Sequence, residues 1–276
     1  MPPSARLKRV RPNSPVHLRD ADARPPDGIP KEKRLEKKLD ELTERLEELQ
    51  RIFNADRRYA MLIVLQGLDA SGKDGTIRRV GGAFNPQGCR VTSFKAPTDE
   101  EKAHDFLWRI HPEVPGRGMI RIFNRSHYED VVAVRVQKLA PPKVWSARIP
   151  RINEFEAALA DAGVIVRKFF LHISRDEQRE RLLKRIENPD KNWKFRSGDL
   201  DDRAKWPEYT RAYCDTISKT STAHAPWFLV PADDKKTRDY LIARELVDTL
   251  ESLRLRYPPP DPSIRKYAKQ LGKPGK

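Results

Sequence analysis

Two cysteines in 276 residues, Cys89 and Cys214, are too few and too far apart for a disulfide framework or a metal-ligand spacing. A reducing compartment suits them, with both thiols packed as small hydrophobes. The chain has no apolar run of membrane-spanning length, and Met1-Pro2-Pro3-Ser4-Ala5-Arg6 is not followed by the apolar segment of a signal peptide. These absences predict a cytoplasmic protein with no membrane span. No internal repeat is visible, so solenoid and propeller arrays are excluded. An excess of negative charge is missing as well. The formal charge is +15, of which residues 1–30 carry +3 and 257–276 carry +4, leaving +8 on the body. A basic folded body suggests a polyanionic partner: nucleic acid, an anionic membrane or a phosphate-rich substrate.

What is present alternates strand and helix. Residues 1–30 are rich in Pro and Arg and show no period, so they read as an arm that is disordered or wraps over the surface. Over 31–57, Leu35, Leu39, Leu42, Leu46, Leu49 and Phe53 alternate spacings of four and three. This predicts a long amphipathic helix, packed against the domain in preference to a dimer zipper. Strands are expected at 59–66, 89–94, 119–123, 164–173 and 227–230. Helices are expected from the end of the 67–74 loop to about 84, at 98–110 behind a Thr98/Glu101 capping box, and at 126–136 behind Ser126/Glu129. Further helices are expected at 149–162, at 174–187 and at about 235–253, with an irregular lid at about 188–220 and a basic tail at 257–276. Strands separated by helices imply an α/β fold, a five-stranded parallel sheet covered on both faces, with ligands at the carboxyl ends of the strands.

One such end carries Gly-Leu-Asp-Ala-Ser-Gly-Lys-Asp over residues 67–74, directly after the apolar run 61–65. It fits the phosphate-loop pattern of Gly, four residues, Gly, Lys, in which backbone N–H groups wrap a phosphate and Lys73 neutralises it. Asp74 stands where a magnesium-binding hydroxyl is usual. Asp69, inside a loop built to attract anions, makes sense as a metal ligand; alternatively it pins the loop by accepting N–H bonds. A second strand runs into Asn124-Arg125-Ser126-His127-Tyr128-Glu129-Asp130, with a neutral Asn124 where a metal-binding Asp is usual. Arg125 offers a fork for phosphate oxygens. Glu129 is either a helix cap or a site residue, Asp130 favours the site, and His127 reads as a packing or polar-contact residue. Arg181 and Arg185 lie one turn apart, followed by bases interleaved with aromatics at 193–196, as a mobile lid over phosphates and a base requires. Trp206, Tyr209 and Tyr213 read as the lid's own packing face.

Taken together, the 67–75 loop, Phe-Asn-Arg-Ser-His-Tyr-Glu-Asp-Val at 123–131, Trp-Lys-Phe at 193–195 and Ala-Pro-Trp-Phe-Leu-Val-Pro-Ala-Asp at 225–233 resemble the polyphosphate kinase 2 family, over about 31–256. The resemblance implies a thymidylate-kinase-like three-layer phosphate-loop kinase fold with a helical lid. It also implies transfer of a phosphoryl group between inorganic polyphosphate and a nucleotide, dependent on Mg²⁺ or, in its place, Mn²⁺. Asp69 and Lys73 match the family's metal and phosphate residues, and Arg125 and Arg185 match its phosphate-handling arginines. Asn124 with Glu129 and Asp130 looks like the class III branch that accepts AMP and ADP. The ADP-restricted branch typically reads Phe-Asp-Arg-Ser-Trp-Tyr-Asn.

On this footing the catalytic candidates are Asp69, Lys73, Arg125, Glu129 and Asp130, with Asp69 and Asp130 as metal ligands. Candidates for polyphosphate are Ala70, Ser71, Gly72, Lys73, Asp74, Gly75, Arg78, Arg79, Arg125, Arg135 and Arg185. Candidates for AMP, ADP or ATP are Lys95, Asn124, Arg125, Glu129, Arg181, Trp193, Lys194 and Phe195. Self-association is expected and nucleic acid is not. A nucleic-acid-binding protein is the rival that charge alone favours; an ATP-using nucleoside monophosphate kinase is the enzymatic one.

Overall fold

β2 (Ala60–Gln66) is buried along its whole length because it lies inside a sheet with helices on both faces. The computed structural model describes residues 5–264, 267–268 and 271; residues 1–4 of the arm and the rest of the basic tail lie outside them. β2 pairs in parallel with β4 (Ile120–Asn124) on one side and β5 (Val164–His172) on the other. β3 (Cys89–Ser93) extends the sheet beyond β4, and β6 (Trp227–Pro231) extends it beyond β5. The period of two sorts the β2 side chains between two cores. Leu62 and Val64 join Val131, Ile152 and Tyr213, from α4 (Glu129–Val136), α5 (Pro142–Asp161) and α8 (Trp206–Thr220). Met61, Ile63 and Leu65 join Leu46, Phe53, Ile242 and Leu246, from α1 (Glu32–Asp56) and α9 (Lys235–Ser252). The result is the expected three-layer α/β/α arrangement. α1 spends its leucine stripe against α9 of the same chain. Among the described residues no helix is long and apolar enough to cross a membrane, and both cysteines are free.

The sheet has six strands, not five. The sixth is β1 (Lys8–Arg9), antiparallel to β6, with Lys8 opposite Leu229 and Arg9 opposite Phe228. It covers what would otherwise be an open edge. The arm thus wraps over the surface: Val10, Val16 and Ala23 are buried. Its backbone is tied down by Val16 N donating to Ser218 Oγ at 2.9 Å and Ser221 Oγ donating to the Val10 carbonyl at 2.7 Å.

Two helices differ from expectation. The Thr98/Glu101 capping box forms, but α3 (Asp99–Ala103) stops early. The Asp105 carboxylate accepts from Leu107 N at 2.9 Å, and this local bond begins a new turn in competition with the helix. α5 starts at Pro142 and not near 149, since proline is well suited to the first turn, and it continues through Pro150. After β4 the chain enters α4, and after β5 it enters α6 (Arg175–Glu187), where Ser174 Oγ accepts from Glu177 N at 3.2 Å. α7 (Gly198–Ala204) and α8 lie in the stretch expected to be irregular. In α8, Trp206, Tyr209 and Tyr213 point inward as its packing face.

Candidate active site

The loop between β2 and α2 (Lys73–Arg79) can take its shape only with small residues at set positions. Gly72 has φ +106°, and a Cβ there would lie 1.9 Å from Arg238 Nη1; Gly67 has φ +151°, and its Cβ would meet the Leu171 carbonyl at 2.7 Å. Ala70, at the loop tip, holds φ +63° without that freedom. Non-glycine residues held in this region cost backbone energy and cluster at functional sites. Lys73 is buried and folds back across the loop, its Nζ donating to the carbonyls of Gly67 at 2.6 Å and Leu68 at 3.2 Å. Burial, and then the Arg125 charge, lower the Lys73 ammonium to about 8, partly offset by Asp69 and Glu129. An arriving phosphate would reverse that penalty.

Facing Lys73 is a row of alternating charge. Arg125, in left-handed backbone at φ +62°, donates from Nη2 to Asp69 Oδ1 at 2.5 Å, and its Nη1 lies 3.8 Å from Glu129 Oε2. Burial would raise the Asp69 carboxyl, but Lys73 and Arg125 prevail and hold it below its usual range. Burial opposes the Arg125 charge too, and Glu129 and Asp69 more than offset it. Glu129 goes the other way, because its burial outweighs Arg125 and Lys73 and raises its carboxyl. With the Gln66 amide nitrogen turned toward Glu129, it donates to Oε1 at 2.9 Å, and the amide oxygen accepts from Ser126 Oγ at 3.1 Å. Glu129 therefore makes no capping box: Ser126 Oγ serves Tyr128 N instead, and α4 has no side-chain cap.

A model sequence profile of polyphosphate kinase 2 matches residues 30–257. The chain belongs to the polyphosphate kinase 2 family. It is 52% identical over 225 residues to an AMP/ADP-polyphosphate phosphotransferase of Meiothermus ruber, covering 82% of this chain and 84% of that protein. It is 45% identical over 240 residues to an ADP-polyphosphate phosphotransferase of Rhodopseudomonas palustris, covering 83% of each. The crystal structure of polyphosphate kinase 2 from Arthrobacter aurescens TC1 superposes with a TM-score of 0.88 at 38% identity, over 97% of this chain and 99% of that one.

Within this polyphosphate kinase 2 fold, several expected site residues stand elsewhere. The Asp130 carboxylate accepts from Arg109 Nη2 at 3.2 Å and lies 3.6 Å from Arg148 Nη1, so its neighbours are guanidinium groups and not the oxygen-rich shell a metal ligand needs. Burial raises its carboxyl against the pull of both arginines. Arg181 is not free for a nucleotide. Its Nε donates to Glu177, Nη1 to the carbonyls of Ala70 and Ser71, and Nη2 to those of Ala232 and Asp233. A guanidinium has five N–H donors, and all five are used, two of them on the loop carbonyls. Arg135 pairs with Asp215 at 2.7 Å and covers the Trp145 ring, away from the groove expected of it. Arg78 and Arg79 line a cavity between α1, α2 and α9. Lys95 is exposed, and its carbonyl accepts from Arg109 at 2.9 Å.

Other expectations converge. Asn124 Nδ2 donates to Asp74 Oδ1 at 2.9 Å, which joins the end of β4 to the loop. Lys194 Nζ lies 3.9 Å from Asp74 and 5.1 Å over the Trp193 ring, so the segment after α6 reaches the same carboxylate. Trp193 is 73% exposed and Phe195 half-buried beside it. Arg185 Nη1 donates to Asp199 Oδ2 at 3.1 Å, joining α6 to α7. His127 is fully buried, its ring edge-on to Phe155 at 5.6 Å and its Nε2 3.4 Å from Glu156 Oε1, so it both packs and makes a polar contact.

Sequence reading missed Gln178, whose Nε2 donates to the Asp69 carbonyl at 3.0 Å while its Oε1 accepts from Arg203 of α7. It also missed Arg238, which grips Asp239 through Nε at 2.8 Å, with Thr76 Oγ1 donating to that same carboxylate oxygen at 2.8 Å. Neither belongs to a motif. The one signal for Gln178 was its place one turn before Arg181 and Leu182 on a helix that follows a site strand.

Proposed function

We propose that this chain transfers phosphoryl groups from inorganic polyphosphate to AMP and ADP, giving ADP and ATP, reversibly and with Mg²⁺. The observation that carries the reading is the Lys73–Asp69–Arg125–Glu129 constellation on a phosphate loop, in a chain half identical to an AMP/ADP-polyphosphate phosphotransferase.

Mg²⁺ is commonly held by one or two carboxylates together with substrate phosphates and water, without an all-protein cage. The donors present fit that habit. Asp69 offers a carboxylate held in its charged form, the buried Ser71 Oγ has no partner, and among the described residues no cluster of three or more acids, His or Cys competes. Asp69 would hold the ion, which when bound would neutralise phosphate oxygens. Asp130 drops out of that role. Lys73 and the loop backbone bind the donor phosphate, Arg125 balances the equatorial charge that builds up during in-line transfer, and Glu129 orients the acceptor nucleotide. Such transfer relies on positioning and charge more than on covalent chemistry. Self-association and a cytoplasmic location belong to the same reading.

The test is to incubate the pure protein with Mg²⁺, long-chain polyphosphate and either AMP or ADP, with no ATP added. ADP appears in the first tube and ATP in the second. Two empty tubes, together with rapid ATP-dependent phosphorylation of a monophosphate, would hand the site to a nucleoside monophosphate kinase.

A further inference from the structure

We propose that the turn at residues 19–23 of the arm is a positioning element for the phosphate loop; its effect on turnover rests on the phosphotransfer reading above. Residues 5–29 precede the stretch matched by the family profile. After β1 on β6, and the bonds from Ser221 and Ser218 to Val10 and Val16, the arm reaches the carboxyl ends of β5 and β6. There the Arg19 carbonyl meets His172 Nε2 at 2.8 Å, at the end of β5. The Ala23 carbonyl accepts from Asp233 N at 3.0 Å, two residues past β6. Asp22 closes the turn, its Oδ2 accepting from Arg19 N at 3.0 Å and its carboxylate pairing with the Arg19 guanidinium. Ala23 is fully buried.

Asp233 passes this contact on in two ways. Its carboxylate accepts from Ser174 N at 2.8 Å, which fixes the residue that caps α6, and its carbonyl accepts from Arg181 Nη2 at 2.7 Å. α6 in turn holds three successive loop carbonyls, Gln178 taking that of Asp69 and Arg181 those of Ala70 and Ser71. A peptide unit is planar and trans, so a held carbonyl also fixes the opposed N–H of the next residue. The three bonds therefore set the N–H directions of Ala70, Ser71 and Gly72, in a loop whose N–H groups are what a phosphate meets. The arm completes the chain of contacts that begins at Asp233. An arm that only sealed the sheet edge would add stability and leave the loop alone.

The experiment compares hydrogen–deuterium exchange over residues 69–72 in the substrate-free full chain, as wild type, Ala23→Trp, Ala23→Gly and His172→Phe. An indole has no room at a fully buried alanine and must lift the turn from Asp233, whereas Ala23→Gly keeps the carbonyl bond and serves as the control. His172→Phe keeps a ring stacked on Phe170 and removes the bond to the Arg19 carbonyl, so it tests the same turn if Ala23→Trp folds poorly. Exchange should quicken about fivefold in Ala23→Trp and His172→Phe, the factor that one lost hydrogen bond of ordinary strength gives, and hold its wild-type rate in Ala23→Gly. In polyphosphate-driven phosphorylation kcat should fall by a similar factor, with KM moving less than about twofold. Because both act through one chain of contacts, adding Ala23→Trp to Arg181→Lys should change little more. Wild-type exchange at 69–72 in Ala23→Trp and His172→Phe, whatever their melting temperatures, overturns the proposal and leaves the arm an edge cover. So do effects of Ala23→Trp and Arg181→Lys that add in full. Exchange is read without substrate, so a wild type that makes no nucleotide from polyphosphate refutes only the phosphotransfer reading.

Discussion

Lys73 pulls stability and activity in opposite directions. Its folded value of about 8 lies below its ordinary 10.5, so between those values the unfolded chain binds more protons than the folded one. Folding stability from this group therefore rises with pH from about 8 to 10.5 and is lowest below 8. The clamp needs the charged form, so kcat/KM for polyphosphate should fall as pH passes about 8, and Lys73→Arg should move that limb upward. A limb that stays put in Lys73→Arg belongs to another group. Asp69→Asn and Lys73→Ala should fold normally and turn over at least a hundredfold more slowly, since each removes charge aimed at the transferring phosphoryl group. Near-normal rates for Asp69→Asn at saturating Mg²⁺ would show that the ion is held elsewhere. These two residues could be singled out in the sequence because the loop spacing marks their positions. Asp130 stands apart from Glu129 because adjacency in sequence is not adjacency in space: neighbours on a helix point about 100° apart. Glu129 turns to Arg125 and Gln66, while Asp130 turns to Arg109 and Arg148. With its capping role gone, Glu129→Asn should shift the AMP to ADP activity ratio while moving the melting temperature little; the opposite pattern returns it to structure.

The loop itself is shaped from outside by elements without a motif. Arg181 on α6 joins the Ala70 and Ser71 carbonyls to those of Ala232 and Asp233 after β6, and Asp233 N in turn donates to the Ala23 carbonyl of the arm at 3.0 Å. Lysine has one charged point with three donors and cannot reproduce that fork. Arg181→Lys should therefore lower kcat by roughly tenfold and speed amide exchange over residues 69–72, with polyphosphate affinity changing less. Unchanged exchange there would mean that the glycines alone hold the loop. Periodicity revealed α1 because its leucine stripe has one partner surface, α9. It overextended α3, where the Asp105 carboxylate redirects the backbone, and it missed β1, since two residues of Lys and Arg carry no apolar alternation. β1 exists because β6 offers it an edge, which is a property of the folded sheet and not of the arm.

At the scale of the molecule, a fully buried ion pair joins layers that no local pattern connects. Lys168 of β5 donates from Nζ to Glu156 Oε2 of α5 at 2.5 Å, to Tyr128 Oη at 2.8 Å and to the Thr220 carbonyl at the end of α8 at 2.7 Å. All three ammonium protons are placed, and Tyr128 Oη donates on to Glu156 Oε1 at 2.8 Å. Burial alone would raise the Glu156 carboxyl, but Lys168 beside it holds it below its usual value. The pair thus sets the end of α8 and the turn that carries Arg125 and Glu129 against the same strand. Desolvating two charges costs about what their attraction returns, so the pair as a whole adds little net stability, while an orphaned partner is expensive. Lys168→Met alone should cost about 3–5 kcal/mol, because Glu156 is left charged in the core. For a chain of this size that is roughly 10 °C of melting temperature. Lys168→Met/Glu156→Leu should recover most of the loss while kcat stays depressed, since apolar side chains refill the volume but leave the Thr220 carbonyl and Tyr128 hydroxyl without their shared donor. Recovery of both stability and kcat in the double variant would show that the pair is packing material with no part in positioning the site.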